Sequence, residues 1–195
     1  MSKFKDIATD LIVTCFFVGR IKYAPGTLGS LLAFPINYIL VLSVIKSRYL
    51  LPLDGFSDAE RELVTIISCI FVFTVILFFI GLKTSNQYVK RTGREDPKEV
   101  VIDETVGQML TCILTFPTYL FALAKYMNTY DQGLIETITL FLMPFLLFRI
   151  FDIIKPWPIG WVDKNIKGGF GIMIDDILAA ILASIMQYAL LFVFV

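Results

Sequence analysis

Three polar stretches interrupt an otherwise apolar chain, and together they hold the residues whose types and spacing could do chemistry. Asp103 and Glu104 are adjacent carboxylates inside Val100-Val101-Ile102-Asp103-Glu104-Thr105-Val106-Gly107-Gln108. Arg149 and Asp152 lie three residues apart, a spacing that puts both side chains on one helical face. Lys155, Asp163, Asp175 and Asp176 follow, with Gly168-Gly169-Phe170-Gly171 between them. The first stretch, Ala24-Pro25-Gly26-Thr27-Leu28-Gly29-Ser30, carries no charge. Its Pro25 and Gly26 mark a turn and its Thr27 is a good N-cap, so it predicts a helix start whose free amides suit a phosphate.

The chain contains no histidine, which removes Ser-His-Asp and Cys-His catalysis and zinc sites built on His and Cys. Grouped carboxylates without nitrogen donors suit a hard, oxygen-liganded cation, with Mg²⁺ the expected one. Asp103, Glu104, Asp152, Asp175 and Asp176 are therefore assigned to metal binding or water activation. Arg149 would grip a phosphate through its planar fork, and Lys155 would add a point charge. Gly26, Thr27, Ser30, Gly168 and Gly169 complete the expected substrate-binding set, the last two through a glycine-rich turn that aims amides at an anion. Each motif also has a plainer reading. Acidic residues are favoured at any helix start, and Arg149 with Asp152 could be a simple ion pair. Those readings do not explain why so many ionisable groups stand among apolar neighbours, where desolvation is costly.

The elements that must position these groups are membrane helices. Hydrophobic residues make up 57% of the 195 positions and charged residues only 17%, too apolar for an ordinary soluble domain. Uncharged runs at Leu28–Ile45, Leu63–Leu82, Thr105–Ala124 and Ile177–Val195, with the nearly uncharged Leu134–Phe151, predict spans. Leu11–Gly19 is too short to cross and reads as an interfacial or re-entrant helix. The expected fold is all-α: one domain over residues 1–195, a bundle of about four to five transmembrane helices with an interfacial N-terminal helix. Lys3 and Lys5 faintly resemble the start of a leader, but Arg20 and Lys22 stand where a cleavage site should be. Cys15, Cys69 and Cys112 sit in apolar runs and read as packing residues.

Alternating spans divide the connecting segments into two faces. Residues 1–27, 83–104 and 152–176 carry twelve Lys and Arg, against four in residues 46–62 and 125–133. The excess of positive charge places the first group in the cytoplasm. Every unusual polar motif belongs to that face. The expected partner is thus a lipid whose head group reaches the interface while its chains stay in the bilayer. A net charge of +0 gives no reason to expect nucleic acid.

At these residues the chain resembles the phosphatidylglycerophosphatase A family. The resemblance is carried by Ala24 to Ser30, by Ile102-Asp103-Glu104-Thr105-Val106-Gly107, and by Phe148-Arg149 through Asp152. It continues over Lys155-Pro156-Trp157-Pro158-Ile159, Gly168-Gly169, and Gly171-Ile172-Met173-Ile174-Asp175-Asp176. It implies a mainly helical fold and Mg²⁺-dependent hydrolysis of phosphatidylglycerophosphate to phosphatidylglycerol and inorganic phosphate, in a bacterial inner membrane. One departure is Ala180, where the family commonly has glycine, which predicts tighter helix packing there with no loss of chemistry.

Two rival readings make different demands. A transporter or channel would spread its charges through the membrane depth and repeat its halves, and no internal repeat is visible. A CDP-alcohol type transferase needs a long spaced aspartate motif, which this chain lacks.

Overall fold

The computed structural model describes residues 3–48, 50–95 and 97–193. Within them the chain is helical, with no strand. It runs α1 (Lys3–Val13), a 3-10 turn (Val18–Arg20), α2 (Pro25–Ser47), α3 (Asp58–Thr92) and α4 (Ile102–Tyr126). There follow α5 (Gln132–Glu136), a π-helical stretch (Thr137–Leu142), α6 (Met143–Ile154), α7 (Ile159–Asn165) and α8 (Gly168–Val193). Five segments are long and apolar enough to cross a membrane: α2, α3, α4, the run Gln132–Ile154 and α8. The shortest has 23 residues, about 35 Å of helix against roughly 30 Å of hydrocarbon. This is a multi-pass helical membrane protein.

All five expected spans are present; four have wider limits, and the fifth starts earlier, at Gly168, while the last two positions of Ile177–Val195 lie outside the described residues. Apolarity marks the middle of a span, whereas capping sets its ends. At α3 the Ser57 side chain accepts from the Glu60 amide while Glu60 reaches back to the Ser57 amide, a reciprocal cap that starts the helix before the apolar run. Gly93 closes it in the left-handed region at φ 68°. Three local expectations change. Thr27 lies inside the first turn of α2, because Pro25 takes the first helical position and Ala24 the cap. The Leu11–Gly19 helix is displaced toward the N-terminus: α1 ends at Val13, and Cys15, Phe16 and Phe17 all adopt positive φ. Thr14 directs that break, donating to the Asp10 carbonyl (2.7 Å) and accepting from the Phe17 amide (3.0 Å). Gly168-Gly169 is not a free turn but the opening of α8.

The bundle is apolar outside and carries many polar side chains inside, among its apolar core. Thr105, Gln108, Thr111, Thr115, Thr118 and Gln187 are buried, while Phe71, Val72, Ile76 and Phe79 of α3 face outward. Lipid tails reward no apolar interior, so small and weakly polar residues make the helix contacts. Ala180 is fully buried in a cluster with Phe148, Ile159, Ala179 and Ala183. All three cysteines are free.

Successive spans reverse direction. The starts of α2, α4 and α8 therefore meet the ends of α3 and α6 at one end of the bundle. Thr105 Oγ1 donates to the Gly29 carbonyl (2.8 Å) and the Gly169 amide donates to Asn86 Oδ1 (3.2 Å), which ties α4 to α2 and α8 to α3 at that end.

Candidate functional site

That end holds a pocket of about 290 Å³, and three distant stretches of sequence meet around it. From α2 come Gly26 and Thr27, from α4 Asp103 and Glu104, from the end of α6 Arg149, Asp152 and Lys155, and from α8 Gly168, Asp175 and Asp176. The α2 start needs its glycine. A Cβ on Gly26 would stand 2.3 Å from Glu104 Oε1 and 3.3 Å from Arg149 Nη2, so any side chain would displace the acid or the guanidinium.

The cations are held by fixed partners. Arg149 Nη1 lies 2.5 Å from Asp152 Oδ2, the ion pair that their spacing allows, and 3.3 Å from Ser30 Oγ. Ser30 in turn donates to the Gly26 carbonyl (3.0 Å), so it links the α2 start to the arginine. Lys155 follows α6 in the left-handed region at φ 46°. This aims its ammonium at Asp163 Oδ1 (2.7 Å) and Asp175 Oδ2 (2.6 Å). Burial pulls the Lys155 pKa down, but the two carboxylates outweigh it and hold the pKa above the ordinary lysine range. The ammonium is therefore charged at any physiological pH.

The remaining acids have no such partners. Asp103 Oδ1, Glu104 Oε2 and Asp176 Oδ2 are buried with no hydrogen-bond partner among the described residues. Ligand oxygens of these three residues lie within 4.8 Å of one another. That compares with about 4.2 Å across an octahedral sphere of ~2.1 Å bonds. Seven carboxylates, Glu95, Asp103, Glu104, Asp152, Asp163, Asp175 and Asp176, line the pocket against four cations, Lys98, Arg149, Lys155 and Lys167. An excess of negative charge in a buried pocket is costly unless a cation or protons compensate it. An all-oxygen donor set fits a hard divalent ion.

Of the residues singled out from sequence, all but two line this pocket. Ser30 lies behind it and orients Arg149. Gly169 is turned toward α3, where a Cβ would approach the Asn86 nitrogen to 2.5 Å. Its amide is taken by Asn86, so it serves helix packing and not an anion. The five expected metal-binding acids also divide. Asp152 and Asp175 neutralise the cations beside them, leaving Asp103, Glu104 and Asp176 with free oxygens. Glu95, Asp163, Lys98 and Lys167 line the pocket as well, although sequence reasoning assigned them no role. For Asp163 a signal existed, since it falls inside the densest charged stretch. For Lys98 and Lys167 none did beyond their being on the right face.

Fold and site define a class: a multi-pass membrane protein with an acidic pocket, flanked by an arginine and a lysine, at one end of its helix bundle. The model of the phosphatidylglycerophosphatase A family matches residues 11–191. The chain belongs to that family, and it is an enzyme, a phosphatase of lipid metabolism. A relative from Escherichia coli (strain K12), named phosphatidylglycerophosphatase A, is 31% identical over 178 residues, covering 91% of this chain and 80% of its own length. One of the same name from Haemophilus influenzae is 32% identical over 180 residues, with 92% and 86% covered. A Bacteroides thetaiotaomicron protein named "Putative phosphatidylinositol-3-phosphatase" is 33% identical over 180 residues, with 90% and 89% covered. No solved structure gives a significant match.

Proposed function

We propose that the chain hydrolyses phosphatidylglycerophosphate to phosphatidylglycerol and inorganic phosphate, with Mg²⁺, at the cytoplasmic surface of a bacterial inner membrane. The observation that carries this reading is the trio of unpaired carboxylate oxygens, Asp103, Glu104 and Asp176, facing a pocket that also presents Arg149. The substrate rests on the names of two relatives that cover nearly the whole chain. The cytoplasmic side rests on the twelve basic residues that share a face with the pocket.

Asp103, Glu104 and Asp176 would hold the ion, which when bound neutralises phosphoryl charge and activates water. Arg149, fixed by Asp152 and Ser30, presents its guanidinium to the phosphate without having to be ordered at the moment of reaction. Lys155, clamped between Asp163 and Asp175, adds a permanent positive charge to the pocket wall. The bare backbone at Gly26 leaves room for a phosphate beside Glu104 and Arg149. The lipid's chains remain in the bilayer. Trp157, 82% exposed, and Trp161 stand on α7 and the loop before it, where indole rings suit the interface.

A transporter would place ionisable groups along the bundle. Here the acids and Arg149 of the site gather from four elements into one pocket instead of lining a path through the bundle, which favours an enzyme. Phosphate release from phosphatidylglycerophosphate by the purified protein tests the reading. Release is expected with Mg²⁺, is expected to stop with EDTA, and should return when the ion is restored. Turnover that survives thorough chelation would remove the metal, and a phosphatase inactive on this lipid would remove the substrate.

A further inference from the structure

Beside the acidic pocket, at the same end of the bundle, lies a second and shallower hollow of about 530 Å³. Its charged walls are Arg20, Lys22, Lys98 and Glu99. Lys98 and Pro25 line both hollows, so the two are adjacent. Most of this charge is already answered. Glu99 accepts from Arg94 (2.5 Å) and from the Tyr88 hydroxyl (2.9 Å), and Arg20 pairs with Asp10 (2.8 Å). Lys22 and Lys98 have no carboxylate within ion-pair distance among the described residues. What remains at the junction is net positive.

The root of Lys98 is held firmly. Its neighbour Glu99 is fixed by Tyr88 and Arg94, and the Val101 amide donates to the Val13 carbonyl (2.8 Å). A lysine so placed gives up little backbone freedom on meeting an anion. The depth is informative as well. Phe16, Phe17, Ile21 and Tyr23 are exposed on the same loop as Arg20 and Lys22. Exposed apolar and aromatic groups interleaved with cations are what a bilayer interface stabilises. A phospholipid carries its phosphodiester at that level.

We propose that Lys98, backed by Lys22, forms a second anion subsite that holds the phosphodiester of the lipid while its terminal phosphate occupies the acidic pocket beside Arg149. This deepens the proposed function and rests on it, since the substrate read there carries two phosphates joined by one glycerol. The subsite makes the enzyme selective for lipids with both groups over those whose single phosphate is esterified directly to diacylglycerol.

The two products separate the subsites. Phosphatidylglycerol carries only the diester, and inorganic phosphate occupies only the monoester position. In mixed micelles, Lys98→Ala is expected to raise the KM for phosphatidylglycerophosphate and the Ki of phosphatidylglycerol about tenfold each. The Ki of inorganic phosphate should stay within about twofold, and Lys98→Arg should recover most of the loss. If all three constants rise together, Lys98 merely sets the general potential of the pocket and the subsite is refuted. If none moves, it is refuted outright. A wild-type protein that leaves phosphatidylglycerophosphate intact fails the substrate reading itself, and the subsite falls with it. Active wild-type with an unresponsive Lys98→Ala fails the subsite alone.

Discussion

The two ends of this bundle are built from the same five helices and could hardly be less alike. The end where α2, α4 and α8 begin encloses about 290 Å³ among carboxylates and cations. The opposite end holds a larger hollow, about 640 Å³, walled by Ala122, Tyr126, Tyr130, Leu134, Ile135 and their neighbours, with Thr139 as its one hydroxyl besides the tyrosines. By volume the second would be the better binding site. By chemistry it has nothing to bind a phosphate with. In a membrane protein an apolar hollow is a place for lipid tails, whereas a charged one is expensive to maintain and so marks function.

The strongest attack on this contrast is to neutralise a single acid at the polar end. Asp176→Asn and Asp103→Asn should each lower phosphate release by at least about a hundredfold, because each removes one of three unpaired oxygens without changing shape. The amide variants should stay folded. Burying an amide is less costly than burying a second negative charge beside Glu104. Near-normal turnover in a folded variant would demote both acids to structural residues.

Arg149→Lys sharpens the comparison with a smaller effect. Lysine keeps the charge but loses the planar fork that meets Asp152 and Ser30 together. A fall of about tenfold in kcat/KM is expected, or ~1.4 kcal/mol of lost transition-state stabilisation. An unchanged rate would mean that the pocket needs only a positive charge there, not a fork.

The sequence disclosed this contrast unevenly. The spans were legible because twenty apolar residues in a row have few other uses, and the pocket was legible because Asp103, Arg149 and Asp176 are charges in apolar surroundings. How the acids divide their tasks was not legible. Asp175 and Asp176 are neighbours in sequence, yet one meets Lys155 and the other keeps an oxygen without a partner, because adjacent residues of a helix point about 100° apart. Gly169 misled for a related reason. A glycine pair reads equally well as an anion-binding turn and as a close helix crossing, and only the presence of Asn86 decides. The π-helical stretch gave no local sign either. The Thr139 carbonyl within it accepts from Gln187 Nε2 (3.0 Å), a residue 48 positions away, and such insertions into the helical ladder are a common cause of π geometry.

That glutamine supplies the gentlest probe, at the apolar end. Gln187 Nε2 donates both to Thr118 Oγ1 (2.7 Å) and to the Thr139 carbonyl, joining α8 to α4 and to the π-helical stretch, while its Oε1 has no partner among the described residues. Gln187→Leu removes two interhelical hydrogen bonds but also removes a buried unpaired acceptor. Such bonds average only about 0.6 kcal/mol within bilayers. The two effects nearly offset, so the stability change in detergent should stay below about 1 kcal/mol and turnover within about twofold of wild type. A tenfold loss of activity without unfolding would show that the helix ends are coupled through the bundle. The apolar end would then belong to the catalytic machinery, and the contrast between the two ends would fail.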